Sequence, residues 1–136
     1  MNIKSLSAAL IMLAAFTIMA ACGKRDRPAG DFTAAELAMI HESDSIMRVL
    51  TIDAPSDLAV LRSLSYDLSD SALLSDDFKR LAELMVATVT HPSQDGVGIA
   101  GPQVGLNRRV VAVQRFDKEG EPFEVYPNVR IVWASD

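Results

Sequence analysis

Residues 96–105 read Gly-Val-Gly-Ile-Ala-Gly-Pro-Gln-Val-Gly, and Gly96, Gly98 and Gly101 fall at the spacing G-x-G-x-x-G. A dinucleotide-binding loop of that spacing sits between a strand that ends at the first glycine and a helix that opens at the third. Neither context is present. Thr90 to Asp95 reads as the end of a helix followed by a loop. Pro102 biases Gly101 away from helical geometry. Only seven residues separate Gly101 from Arg109, where the next strand is predicted, whereas a βαβ crossover takes about ten or more. Asp117, about 20 residues downstream, is the one point of agreement with a ribose-binding acid. The context therefore argues against a nicotinamide or flavin enzyme.

The flanking residues predict helices first and strands later. Thr33-Ala34-Ala35-Glu36 has capping-box spacing, so a helix starts there and ends in the polar run around Ser43 to Ser45. Met47 to Ile52 reads as a short strand, Pro55 to Leu61 as a helical turn, and Asp67 to Asp76 as a loop. The strongest helix spans Ser75 to Thr90. Ser75 can cap it, Asp76 and Asp77 suit its positive end, and Phe78, Leu81, Leu84, Met85 and Val89 line one face. His91-Pro92 ends it. Val110 to Val113, Phe123 to Tyr126 and Val129 to Trp133 are strand candidates, with a turn at Asp117 to Pro122 and an interruption at Pro127. Late strands with short connections favour an α+β domain, antiparallel strands packed with helices, over βαβ units.

The first residues carry an address. Lys4 precedes the apolar run Leu6 to Ala21, which is shorter than the ~20 residues of a spanning helix and fits a secretory signal. The run closes on Met19-Ala20-Ala21-Cys22, which resembles the lipobox of bacterial lipoproteins. The expectation is a signal peptide over 1–21, lipidation at Cys22, a tether over 22–32 and a domain over 33–136. It places the protein in the bacterial cell envelope, on a membrane. Cys22 is the only cysteine, so no intramolecular disulfide can form. The formal net charge of −5 argues against nucleic acid as a partner. Lys24, Arg25 and Arg27 read as a solvated part of the tether, next to the headgroups.

The whole decapeptide says more than its glycines. Gly96–Gly105, with the helix before it, the link Leu106-Asn107-Arg108-Arg109 and the Val110–Val113 strand, resembles the first signature motif of peptide deformylases, over roughly Met47 to Trp133. That resemblance implies a small α+β fold around a metal-binding helix. It implies hydrolysis of the formyl group of N-formylmethionyl peptides by Fe²⁺, or Zn²⁺ or Ni²⁺ in its place, held by one Cys and two His. By position in the motif, Gln103 is the side-chain amide that stabilises charge on the formyl oxygen, and Val97 and Gly98 are the backbone that pairs with substrate. Gly101 departs from the family, which usually has Ala there. The expectation is a looser loop that keeps Gln103.

The resemblance also implies two further signatures, a Cys in a Gly-Cys-Leu-Ser-like context and a helical HExxH. Neither is in this sequence. His41-Glu42-Ser43-Asp44-Ser45 imitates the second of them but has Ser45 where a second His belongs. His41 reads as a surface residue and His91 as a helix terminus, and no metal ligand is assigned. The expectation is an incomplete domain: a shortened gene, a frameshift product or an unfinished sequence. Two readings remain open, a deformylase-like metallohydrolase inactive as this chain, and a non-catalytic envelope lipoprotein that binds extended peptides or a partner protein.

Overall fold

The computed structural model describes residues 29–135. The expected signal peptide and Cys22 lie outside the described residues. Helix α1 spans Ala34–Glu42, and the predicted capping box is made. Thr33 Oγ1 accepts from the Glu36 N–H at 3.3 Å, and Glu36 Oε2 accepts from the Thr33 N–H at 2.7 Å. Helix α2 spans Pro55–Leu61, with Pro55 in its first turn, where a missing N–H costs nothing. Helix α3 is a single turn, Asp70–Leu73. It corrects the loop expected over 67–76. Ser69 caps it by accepting from the Ala72 N–H at 3.2 Å, a local bond that a polar composition conceals.

Helix α4, Asp76–Thr90, is the centre of the molecule. Ser75 caps it, and its C-cap His91 has an extended backbone, as the following Pro92 requires. Leu81, Leu84, Met85 and Val89 are buried on one face, and Phe78 packs against the same core. Strands β1 (Gly98–Ala100), β2 (Val110–Gln114) and β3 (Phe123–Pro127) form an antiparallel sheet in the order β1-β2-β3. Ile99 lies opposite Ala112, and Ala112 opposite Val125. A 3₁₀ turn, Gly101–Val104, runs directly out of β1. Helix α4 packs across the sheet. Ile99, Val104, Leu106, Val110 and Ala112 close the core with Ile40 from α1 and Met47. The described part is an α+β fold.

Two expected strands are absent. Met47 to Thr51 forms no regular element and is held by single bonds, and Ile52 begins a turn. The Met47 N–H donates to Thr88 Oγ1 at 2.8 Å and the Leu50 N–H to the Gln103 carbonyl at 2.8 Å. It has a partner at each point but no ladder. Val129 to Trp133 leaves the sheet because Pro127 brings no N–H and Asn128 turns the chain with a left-handed φ of 52°. Ile131, Val132 and Trp133 are exposed. Residues 30–32, expected as the last of a tether, are held to the domain. The Gly30 N–H donates to the Asp67 carbonyl at 3.2 Å, the Ser69 N–H donates to the Gly30 carbonyl at 3.1 Å, and Phe32 packs on the core.

Candidate functional site

Among the described residues strand β1 is an edge strand, paired with β2 on one side only. The Gln114 N–H donates to the Val97 carbonyl at 2.9 Å. In an antiparallel ladder successive residues alternate between facing the partner and facing away. Val97 and Ile99 thus direct backbone groups to β2, while Gly98 and Ala100 direct theirs to the free edge. Of the two backbone positions assigned to substrate, Gly98 carries the open N–H and C=O. The Val97 carbonyl is spent on β2, and its side chain is exposed. A Cβ on Gly98 would meet only the Ala112 carbonyl at 3.4 Å and Val113 Cγ1 at 3.5 Å, ordinary contact. No contact among the described residues requires glycine at 98.

Gln103 stands at the same edge. Its Oε1 accepts from the Ala100 N–H at 2.9 Å. The backbone donor fixes which end of the amide is oxygen, because an N–H needs an acceptor. The Nε2 donors of Gln103 have no acceptor among the described residues, and the residue is exposed. The side chain thus both closes the outward N–H of β1 and offers an oriented amide N–H beside the open pair of Gly98. Pro102 and the Leu50 N–H bonded to the Gln103 carbonyl hold the turn that carries it. The structure brings Gly98 and Gln103 to one edge and turns the Val97 carbonyl to β2.

Gly101 is needed for a reason other than looseness. It is buried, and a Cβ there would lie 2.7 Å from the Arg108 carbonyl and 2.9 Å from the Leu106 carbonyl. The expectation of a loosened loop is corrected. Gly101 lets two strands of backbone touch. Gly105, with a φ of 88°, closes the turn in the left-handed region.

Beneath this loop sits a group that sequence reasoning passed over. Arg108 is 7% exposed. Its Nε donates to Glu36 Oε1 at 2.7 Å, and Nη2 to Glu36 Oε2 at 2.8 Å and the Asp31 carbonyl at 2.7 Å. Its Nη1 donates to the carbonyls of Gly30 and Asp67, both at 3.2 Å. All five guanidinium N–H groups are used. Burial pushes the Glu36 carboxyl up, but the bonds from Arg108 and the Thr33 N–H outweigh it and hold the group below the usual carboxylate range. Arg108 is raised by the same bond. An arginine between Asn107 and Arg109 in a loop carries no sequence sign of burial.

The donor set does not fit the metal that the family resemblance implies. Among the described residues no group of three or more His, Cys, Asp or Glu could hold a metal ion, and no buried side-chain nitrogen or oxygen lacks a hydrogen-bond partner. His41 Nε2 is 2.7 Å from Asp77 Oδ1, at the start of α4, and His91 caps the end of α4 beside Ser93. At 1.5 Å per residue the helix keeps the two histidines about 20 Å apart. Asp117, the one Rossmann-like coincidence, pairs with Arg115 in the β2–β3 turn at 2.5 Å.

Residues 46–136 match the family described as polypeptide deformylase. A peptide deformylase of Leptospira biflexa is 38% identical over 79 residues, 57% of this chain and 41% of the relative. One from Caulobacter sp. strain K31 is 34% identical over 94 residues, 68% of this chain and 51% of the relative. Among solved structures, an actinonin-bound class I type b peptide deformylase from Acinetobacter baumannii superposes with a TM-score of 0.54 at 27% identity, covering 68% of this chain and 55% of that one. Another crystal of the same enzyme, bound to Met-Ala-Ser, gives 0.53 at 26% identity, covering 66% and 57%. The chain spans about half the length of the relatives it matches. By the reach of the family match and by these likenesses, the chain belongs to the polypeptide deformylase family.

Proposed function

We propose that this chain is the substrate-facing part of a deformylase-like hydrolase acting on N-formylmethionyl peptides. The observation that carries the reading is the pairing of an open edge at Gly98 with the oriented amide of Gln103. An extended peptide adds to the edge through the Gly98 N–H and C=O, as strand-addition ligands do. Its formyl oxygen then meets the Gln103 amide N–H, which is held in place before any charge develops and needs no reorganisation. Breaking the formyl C–N bond requires an activated water and a proton for the leaving amine. The described residues supply neither.

A second reading is favoured by the donor set just described. It is a non-catalytic envelope lipoprotein that uses the same edge to hold extended peptides. In either reading we place the protein on a membrane of the bacterial envelope through a lipid on Cys22, supported by the apolar run closing on Ala20-Ala21-Cys22. Fatty-acid labelling of wild type and Cys22→Ala checks the anchor.

The site itself is tested by titrating isotope-labelled protein with N-formyl-Met-Ala-Ser and with unformylated Met-Ala-Ser. The formyl peptide is expected to shift Gly98, Ala100 and the Gln103 side-chain amide. Shifts confined to other surfaces would remove the proposal.

A further inference from the structure

The family match begins at Ile46, so the arm from Gly30 to Glu42 lies outside it. Yet this arm meets the matched part at the loop that carries Gln103. Glu36 and the carbonyls of Gly30 and Asp31 take four of the five bonds donated by the Arg108 guanidinium. The Arg108 N–H donates to the Leu106 carbonyl at 2.7 Å, and the Leu106 N–H donates to the Gly101 carbonyl at 2.9 Å. The Arg108 carbonyl lies against Gly101, 2.7 Å from where a Cβ would be. Gly101 opens the 3₁₀ turn and Gly105 closes it. The position of a Cβ on Gly105 is 3.4 Å from Met39 Sδ, on α1. The arm therefore reaches the start of the turn through Arg108 and borders its end at Gly105.

We infer that residues 30–42 form a brace for the Gln103 turn, with Arg108 as the positioning residue through which the brace acts. The inference rests on the reading that Gln103 faces substrate. Arg108 is nearly buried, and its donors are all engaged by the protein itself. The turn closes on itself through the Gly105 N–H, which donates to the Gly101 and Pro102 carbonyls, and Val104 ties it to the core, so the brace bears on its exposed residue. Gln103 is exposed, and its side chain is fixed by the single bond to the Ala100 N–H. Exposed groups held by single hydrogen bonds open locally at less than the global free energy. A guanidinium fixed by five bonds removes the alternative positions of residues 106–108 on which the turn rests. Three carboxylates lie near it. Glu36 is paired with it, the Asp31 carboxylate accepts from Ser69 and Ser71, and the Asp67 carboxylate is paired with Arg109 and Arg130.

Residue-resolved amide exchange on the whole chain tests the brace without substrate. In Glu36→Gln the Ala100 and Leu106 amides should exchange roughly tenfold faster or more beyond the common factor by which lost global stability quickens Leu84 and Met85 in α4. The Gln103 side-chain amide should lose its distinct resonance positions. An equal factor at all four amides would mean that the arm adds only global stability, and unchanged exchange at Ala100 would mean no coupling. Either result overturns the inference. If Glu36→Gln does not fold, Thr33→Ala frays the exposed start of α1 and keeps the ion pair. The same two amides should then quicken by a smaller factor, with the same overturning results. Because no peptide is involved, a confirmed brace alongside a Gln103 that never contacts formyl peptide would reject the functional reading alone.

Discussion

Arg108 and Glu36 stand 72 residues apart in the chain and meet through two parallel hydrogen bonds, Nε to Oε1 at 2.7 Å and Nη2 to Oε2 at 2.8 Å. Their side chains are 8% and 12% exposed. Removing one partner of so buried a pair strands the other charge. Glu36→Gln should cost about 3 kcal/mol, against a median below 1 kcal/mol for exposed pairs. Lys79→Ala, which breaks the exposed Lys79–Asp76 pair, should cost almost nothing by comparison. Urea unfolding of the two variants checks the contrast.

The same pair sets an acid limit. The folded Glu36 carboxyl lies below its ordinary value because Arg108 and the Thr33 N–H outweigh the effect of burial. A carboxyl lowered on folding stabilises the protein fully above its unfolded value of about 4.3 and loses that contribution as pH falls through the folded value. Asp31, lowered mainly by bonds from Ser69 and Ser71, acts in the same direction. Stability from these groups should hold steady between about pH 7 and 5 and fall below about pH 4. Glu36→Gln should show a shallower fall, measured by urea midpoints across that range. A variant with the same acid slope as wild type would remove Glu36 as a source.

Gly101→Ala should destabilise by about 1–3 kcal/mol, the usual cost of forcing atoms into a packed site. The atoms in the way are backbone carbonyls of Arg108 and Leu106, which cannot swing aside as a side chain would. The family resemblance implies Ala at this place, which needs a wider separation of those backbones. A melting temperature equal to wild type would show that the separation is available here too.

Much of this was legible. The capping box at Thr33 and Glu36, the apolar stripe of α4 and the stop at His91-Pro92 follow local rules, and the structure keeps them. So does the failure of the glycines to form a dinucleotide loop, since β1 runs into a 3₁₀ turn around Pro102. What sequence hid depends on long-range partners. Met47 and Leu50 have a strand's composition but bond to Thr88 and Gln103 instead of to a ladder. Asn128 grips the Leu68 backbone through both ends of its amide, at 2.8 and 3.0 Å, and turns the chain away from the sheet. Gln103 was singled out from its motif. Its bond to the Ala100 N–H and the brace behind it were not, because neither leaves a periodic trace.

The donor set leads to a paired kinetic expectation. The 136-residue chain should bind no stoichiometric transition metal and show no turnover of a formyl-Met peptide above a metal-only control, in anaerobic, iron-loaded assays. In a form of the protein that also supplies a Cys and an HExxH pair, Gln103→Ala should lower kcat about 10²-fold and leave metal content and melting temperature intact. A loss of kcat that merely follows the unfolded fraction would assign Gln103 to its own loop.

The central claim is that a peptide adds to the free edge of β1 through Gly98, and the most direct measurement is the dissociation constant for N-formyl-Met-Ala-Ser in wild type and Gly98→Pro. Proline removes the outward N–H and is tolerated at sheet edges, and a Cβ at 98 meets only ordinary contacts. The account predicts an intact β1–β2 pairing by amide exchange, with the peptide bound by wild type and at least roughly tenfold more weakly by the variant. A folded Gly98→Pro protein that binds the peptide as tightly as wild type would contradict it.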